Sequence, residues 1–243
     1  MKQSPTAATL PDPMHLEPWE EQDEPLASDR HHDEQTYCFE ALRHLLNPDG
    51  HYATMDRWLR MDPADDHDRL LPDLLVATGL LQAQWNRNEY LPWVAGKAPE
   101  ILGEFLSPSS LLADLVEKPR RYGALGVREY YVFDPDGSVG VPRVQGWVLQ
   151  GEEQRQELPR DPDGGLTSRV VPIRFELIDD HITVVDSRSG EIALRYGDVQ
   201  HVLHQERAAR RRAESAREAA ESEVRRLRAE LDRLRGDHGR NGF

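Results

Sequence analysis

The sequence predicts an α/β (α+β) fold whose body of strands and helices continues into one long charged helix. Three observations predict it. Apolar runs of strand length recur at 70–81, 101–106, 129–133 and 171–194, bounded by Pro, Gly and Asp turns. Helical periodicity falls between them, at 35–46 and 110–125. From about 198 to 235 the pattern becomes a heptad.

Composition narrows the class. A chain of 243 residues is long enough for one core of about 150 residues plus appendages. The formal net charge is −14, which argues against non-specific adhesion to nucleic acid or anionic membrane. With 38% hydrophobic and 30% charged residues, part of the chain must lie outside any core. Cys38 is the single cysteine, so no intrachain disulfide can form and a reducing compartment is expected. Its place in QTYCFEALRHLL reads as a buried structural thiol. No run approaches the ~20 apolar residues needed to span a bilayer, and the N-terminus lacks an apolar signal core. A cytoplasmic protein with no membrane partner is expected. Lysine occurs only at Lys2, Lys97 and Lys118.

Taken in order, residues 1–34 are Pro-rich, acidic and weakly hydrophobic, and read as a disordered acidic arm. The body is expected over 35–197. Its first helix, 35–46, closes at the turn Pro48-Asp49-Gly50. HYATMDRWLRM is compatible with a strand or a short helix. DPADDHDR is a polar loop whose acidic spacing lacks the glycine and glutamate of a calcium loop. LLPDLLVATGLL is an apolar strand bearing Asp73, and PEILGEFL is a second, bearing Glu104. Ser109 or Ser110 caps the next helix, and Gly126 ends it. REYYVFDPDG and SVGVPRVQGWVLQ are further strands, 151–169 is loop-like, and 171–194 holds two strands and part of a third.

Residues 198–236 read as a coiled-coil helix with its seam at Ala213, Ala220, Val224, Leu227, Leu231 and Leu234, and 237–243 as a disordered tail. Residues 204–243 carry eleven Arg and eight acidic residues, a net of +3, which leaves −17 on the rest. A homodimer through this helix is expected. A nucleic-acid arm is the other reading of its basic charge.

Glu104 is the odd residue of an apolar strand. A carboxylate among such neighbours must be paired, hydrated or bound to a metal. Asp73 lies on a strand nearby in sequence. Lys118 lies in the following helix, with Asp114 one turn earlier. Two carboxylates at strand ends repel each other, and a divalent cation with oxygen preference, magnesium or manganese, relieves that repulsion. A lysine beside them can orient a metal-bound water or stabilise a developing phosphoryl charge. The plainer reading is that Glu104 only forms an ion pair with Arg120, Arg121 or Lys118.

The runs PDLLVA, PEILGEFLSPSS and DLVEKPRRYGALGVREYYVFDPDG resemble the Uma-type (DUF820-like) restriction endonucleases, of the PD-(D/E)XK nuclease superfamily. The resemblance is densest over 99–137 and looser over about 36–200. It implies a restriction-endonuclease-like mixed central sheet with flanking helices and a magnesium-dependent DNA endonuclease site. On that resemblance Asp73 and Glu104 are metal ligands, and Lys118 matches the helical lysine common in the family. Many relatives place a lysine two residues after the glutamate, where this chain has Leu106, and Pro119 predicts a kink beside Lys118. The alternative is a catalytically inactive nuclease-fold protein that acts as a dimeric interaction module through its C-terminal helix.

Overall fold

The computed structural model describes residues 28–46, 50–79 and 88–238, with side chains described through 229. The chain divides into two units, one ending at Ala193 and the other starting at Leu194.

The first unit opens with α1 (Asp29–Leu46), which begins six residues before the predicted boundary at 34/35. Ser28 explains the early start, because its Oγ accepts the N–H of His31 at 3.0 Å. Glu34 is buried and accepts the N–H of Ile182 at 3.1 Å, and His31 packs its ring 5.8 Å from that of Phe105. These partners lie far away in sequence, which is why composition alone assigned 29–34 to a disordered arm. The predicted turn at Pro48-Asp49 and the segment 80–87 lie outside the described residues, as do the rest of the arm (1–27) and 239–243.

The strands are β1 (His51–Met55), β2 (Trp58–Arg60), β3 (Arg69–Leu70), β4 (Leu74–Thr78), β5 (Glu89–Tyr90) and β6 (Ile101–Phe105). A short helix α2 (Pro92–Ala95) precedes β6. A π turn (Ala113–Glu117) then leads into α3 (Lys118–Leu125). After it come β7 (Glu129–Phe133), β8 (Val144–Leu149), β9 (Arg155–Glu157), β10 (Leu166–Thr167), β11 (Ile173–Ile178) and β12 (His181–Asp186). The region 151–169, expected as loop, thus contributes two short strands. The ambiguous HYATMDRWLRM forms β1 and β2.

Six strands make the central sheet in the order β1-β4-β6-β7-β8-β9. It is mixed: β6 and β7 run parallel and all other neighbours are antiparallel. Between β6 and β7 the chain passes through α3, the crossover a parallel pair needs. Strand β7 is buried on both faces. Tyr131 and Phe133 join Cys38, Leu42, Val76 and Phe175 on the α1 side, while Tyr130 and Val132 join Leu102, Tyr122 and Trp147 on the α3 side. Each such aromatic contributes roughly 2–3 kcal/mol of burial. A second sheet, β10-β11-β12, turns through Asp179 and Asp180, both at positive φ, as a tight hairpin does. Gly123 lets α3 approach the loop after β8, where a Cβ would lie 2.1 Å from Gly151 O.

The acidic loop 62–68 closes on itself and on arginines. Asp62 and Asp65 accept backbone N–H groups within it, Asp66 pairs with Arg60, and Asp68 with Arg121. The second unit carries α4 (Tyr196–His238). Among the described residues no helix is long and apolar enough to cross a membrane.

Candidate active site

The β4–β6 ladder ends at the pair Leu74–Gly103. At the next position Asp73 replaces a backbone acceptor with its side chain, and Oδ2 accepts the N–H of Phe105 at 2.7 Å. The Asp73 N–H in turn lies 3.4 Å from Glu104 Oε2. The end of the ladder therefore sets the two carboxylates side by side at one end of the central sheet. Glu104 is only 1% exposed. Its Oε1 accepts the hydroxyl of Tyr122 at 2.7 Å.

Lys118 arrives from the other side. Ser107 and Ser110 close the turn after β6, their side-chain oxygens 2.9 Å apart and each accepting the other's N–H at 3.2 Å. The helix then meets Pro119, which has no N–H to give. Its absence orphans the Leu115 carbonyl in the α register and the Asp114 carbonyl in the π register. The chain adopts the π turn, in which Lys118 N–H bonds to Ala113 O. Both orphaned carbonyls are met from the sheet: Tyr130 Oη donates to Asp114 O at 2.7 Å and Arg155 Nη1 to Leu115 O at 2.6 Å. Pro119 thus does not turn Lys118 away. The Nζ atom lies 3.0 Å from Glu104 Oε2 and 2.6 Å from Asp114 Oδ1.

Asp73, Glu104 and Lys118, from three separate elements, are therefore neighbours. Of the three basic residues weighed as partners for Glu104, Lys118 makes the ion pair; Arg120 pairs with Glu152 and Glu153, and Arg121 with Asp68. Lys97 pairs with Glu100 at the opposite end of β6. Leu106 is packed in the core. Asp134 caps the loop after β7, accepting the N–H groups of Ser138 and Val139.

Three residues adjoin this group that motif reading left without a role. Asp114 is buried against Lys118, and Tyr122 combines a core ring with a hydroxyl on Glu104. Their spacing of four on either side of Lys118 is a helical-face signal. Gln35 of α1 had no such signal; its Nε2 lies 3.4 Å from Asp73 Oδ1 and 3.5 Å from Asp56 Oδ1.

The electrostatics are lopsided, with three carboxylates facing one ammonium. Burial, followed by the Asp73 and Asp114 carboxylates, pushes Glu104 well above the usual carboxylate range. Burial is also the main cause for Asp73, pushed up to about 6 against the pull of the Phe105 N–H and Lys118. Burial works to lower Lys118, but Glu104 and Asp114 outweigh it and push the ammonium up to about 12.

Over residues 20–178, well over half of the chain, the sequence matches the model of the Uma2 family, described as "Putative restriction endonuclease". The chain belongs to the Uma2 family. No curated protein matches it. A solved structure from Anabaena variabilis ATCC 29413, described as "a putative nuclease belonging to DUF820", is similar at 17% identity and a TM-score of 0.42, covering 60% of this chain and 75% of that one.

Restriction-endonuclease-like enzymes generally use divalent metals. Among the described residues of this Uma2 chain no three His, Cys, Asp or Glu side chains group at metal-holding distance. Magnesium does not require three, since it is commonly held by one or two carboxylates with water and substrate phosphate completing the shell. The adjacent Asp73 and Glu104 fit that pattern. Both are hard oxygen donors, both are held above their ordinary pKa chiefly by burial, and a divalent cation would favour their charged forms.

Proposed function

We propose that this chain is a divalent-metal-dependent endonuclease that hydrolyses phosphodiester bonds in DNA, acting as two copies joined through the C-terminal helix. The observation that carries this reading is the meeting of Asp73, Glu104 and Lys118 at one end of the central sheet. Asp73 and Glu104 would hold magnesium or manganese. The ion, when bound, would acidify a water and offset charge on the scissile phosphate. Tyr122 fixes one oxygen of Glu104, which leaves the other toward Asp73 and Lys118. Asp114 keeps Lys118 charged and aimed. From there the ammonium can orient the attacking water or donate to the phosphoryl oxygen as charge grows on it.

A second reading, a nuclease fold kept as a dimeric interaction module without catalysis, is favoured by one observation. Glu104 already has a partner on each oxygen, Tyr122 and Lys118. The two are separated by titrating magnesium and manganese calorimetrically into wild type, Asp73→Ala and Glu104→Ala, and assaying plasmid nicking on the same samples. Metal-dependent nicking that both substitutions abolish in folded protein supports the enzyme. Nicking that survives both, or a wild type that neither binds metal nor nicks, overturns it.

A further inference from the structure

We infer that α4 joins two copies of this chain in parallel and in register, and that the joint is residues 220–235. This deepens the dimeric part of the proposed function, on which it rests, and is independent of the catalytic part, because it is argued from a helix face and a charge pattern.

A 43-residue helix reaches about 64 Å, at about 1.5 Å per residue. Val224 and Leu227 project from it 46% and 51% exposed. By position in the sequence, Ala220, Val224, Leu227, Leu231 and Leu234 alternate between the a and d places of one heptad frame. Traced towards the N-terminus, the same frame puts Arg217 and Arg210 at a and Glu206 at d, which interrupt the seam around Ala213 before Leu203 and Val199. There the helix is supported within itself, by Arg210–Glu214 and Arg217–Glu221 pairs one turn apart. The unbroken run of apolar a and d places is therefore 220–234.

Charge then selects the occupant and its direction. In this frame the g places of the apolar segment are Glu223 and Glu230, and its e places are Glu221, Arg228 and Arg235. In a parallel pair each g residue meets the e residue five positions later on the other helix. Glu223, which pairs with Arg226 of its own helix at 2.7 Å, would then come opposite Arg228 of the partner subunit, and by place in the heptad position 230 would come opposite position 235 of the partner subunit. In an antiparallel pair g meets g, so Glu223 would face Glu230, and Arg228 would face its own copy across the e places. The two upstream g places are Ala209 and Ala216, so the charge pattern is complete only where the large apolar residues are. A second copy in parallel satisfies both features at once.

The test is sedimentation velocity of the full chain over a range of concentrations, for wild type, Glu223→Arg, and the double variant Glu223→Arg/Arg228→Glu. All the altered side chains are on the exposed helix, so folding of the first unit is not at stake. The expected result is a reversible wild-type dimer whose dissociation constant rises about tenfold in the single variant and returns to within about twofold of wild type in the double. A monomer at every concentration overturns the proposal. So does a single variant that dimerises more tightly, the sign of an antiparallel pair, or one that is unchanged or is not restored by the second substitution.

Discussion

Lys118 Nζ lies 3.0 Å from Glu104 Oε2, although the two side chains come from opposite sides of the turn at Ser107-Pro108-Ser109. The ammonium is the one positive group among three carboxylates, and it sits where both Glu104 and Asp114 need it. Removing it leaves buried charge without a partner. Lys118→Met is expected to destabilise the protein by about 3 kcal/mol at pH 8. At pH 5 the loss should be smaller, because Glu104, held well above the usual carboxylate range by burial, can then take up a proton instead. Chemical denaturation at the two pH values checks this, and an equal loss at both would show that the lysine stem, not its charge, is what matters.

Asp73 gives the pH dependence its sign. Its pKa rises from 3.8 to about 6 on folding, so the native protein holds this proton more tightly than the unfolded chain. Stability contributed by the protonated form is complete below pH 3.8 and is lost as pH rises through about 6. Without metal, Asp73→Asn should therefore be more stable than wild type at pH 8, by at most roughly 3 kcal/mol, and the difference should shrink toward pH 4. Saturating magnesium should narrow the gap at pH 8 by stabilising only the wild type. Melting curves with and without the metal measure each part.

Pro119 makes a prediction about register. Pro119→Ala restores an N–H and so removes the reason for the π turn. If the segment anneals to a regular α-helix, residues before and after it rotate relative to each other by about 100°, the turn per residue. Lys118 and Glu104 would separate, and the buried Glu104 would lose its cation as in Lys118→Met. Nicking activity lost together with a lowered melting temperature at pH 8 is the expected result, with hydrogen exchange at residues 113–119 reporting the new backbone bonds; wild-type values of both would show that the register is set elsewhere.

Gln35 is expected to act as a positioning residue for Asp73. Gln35→Ala removes the amide 3.4 Å from Asp73 Oδ1 and should weaken magnesium binding by about tenfold, with the helical circular dichroism unchanged. Calorimetric titration at pH 7.5 decides it; wild-type affinity in the variant would show that the contact is incidental.

Much of the body was legible because its signals are local. The Tyr-Tyr-Val-Phe run of β7, the Asp179-Asp180 turn and the strand pair around it, and the glycine that ends α3 are all written within a few residues. The placement of Lys118 near Glu104 was legible only through the motif, because periodicity does not say which strand end a helix faces. What was missed depends on distant partners. The first turn of α1 is held by Ser28 and by contacts of Glu34 with His181 and Ile182, nearly 150 positions away. The two short strands in 151–169 exist because β8 and β11 present edges to pair with. The π turn answers a missing N–H with Tyr130 and Arg155, one from each of two later strands, and the irregularity expected at Pro119 takes that form with Lys118 still beside Glu104.

That same turn fastens the helix to the sheet through its main chain. Asp114 and Leu115 are gripped by their carbonyl oxygens, atoms every residue type possesses. The address of the lysine is thus guaranteed by Pro119, Tyr130 and Arg155, and the side chains at 113, 116 and 117 are released from that duty. Random substitution at those three positions should be tolerated far better than at the three anchors. A library built there could vary the outer surface of the turn without moving the ammonium.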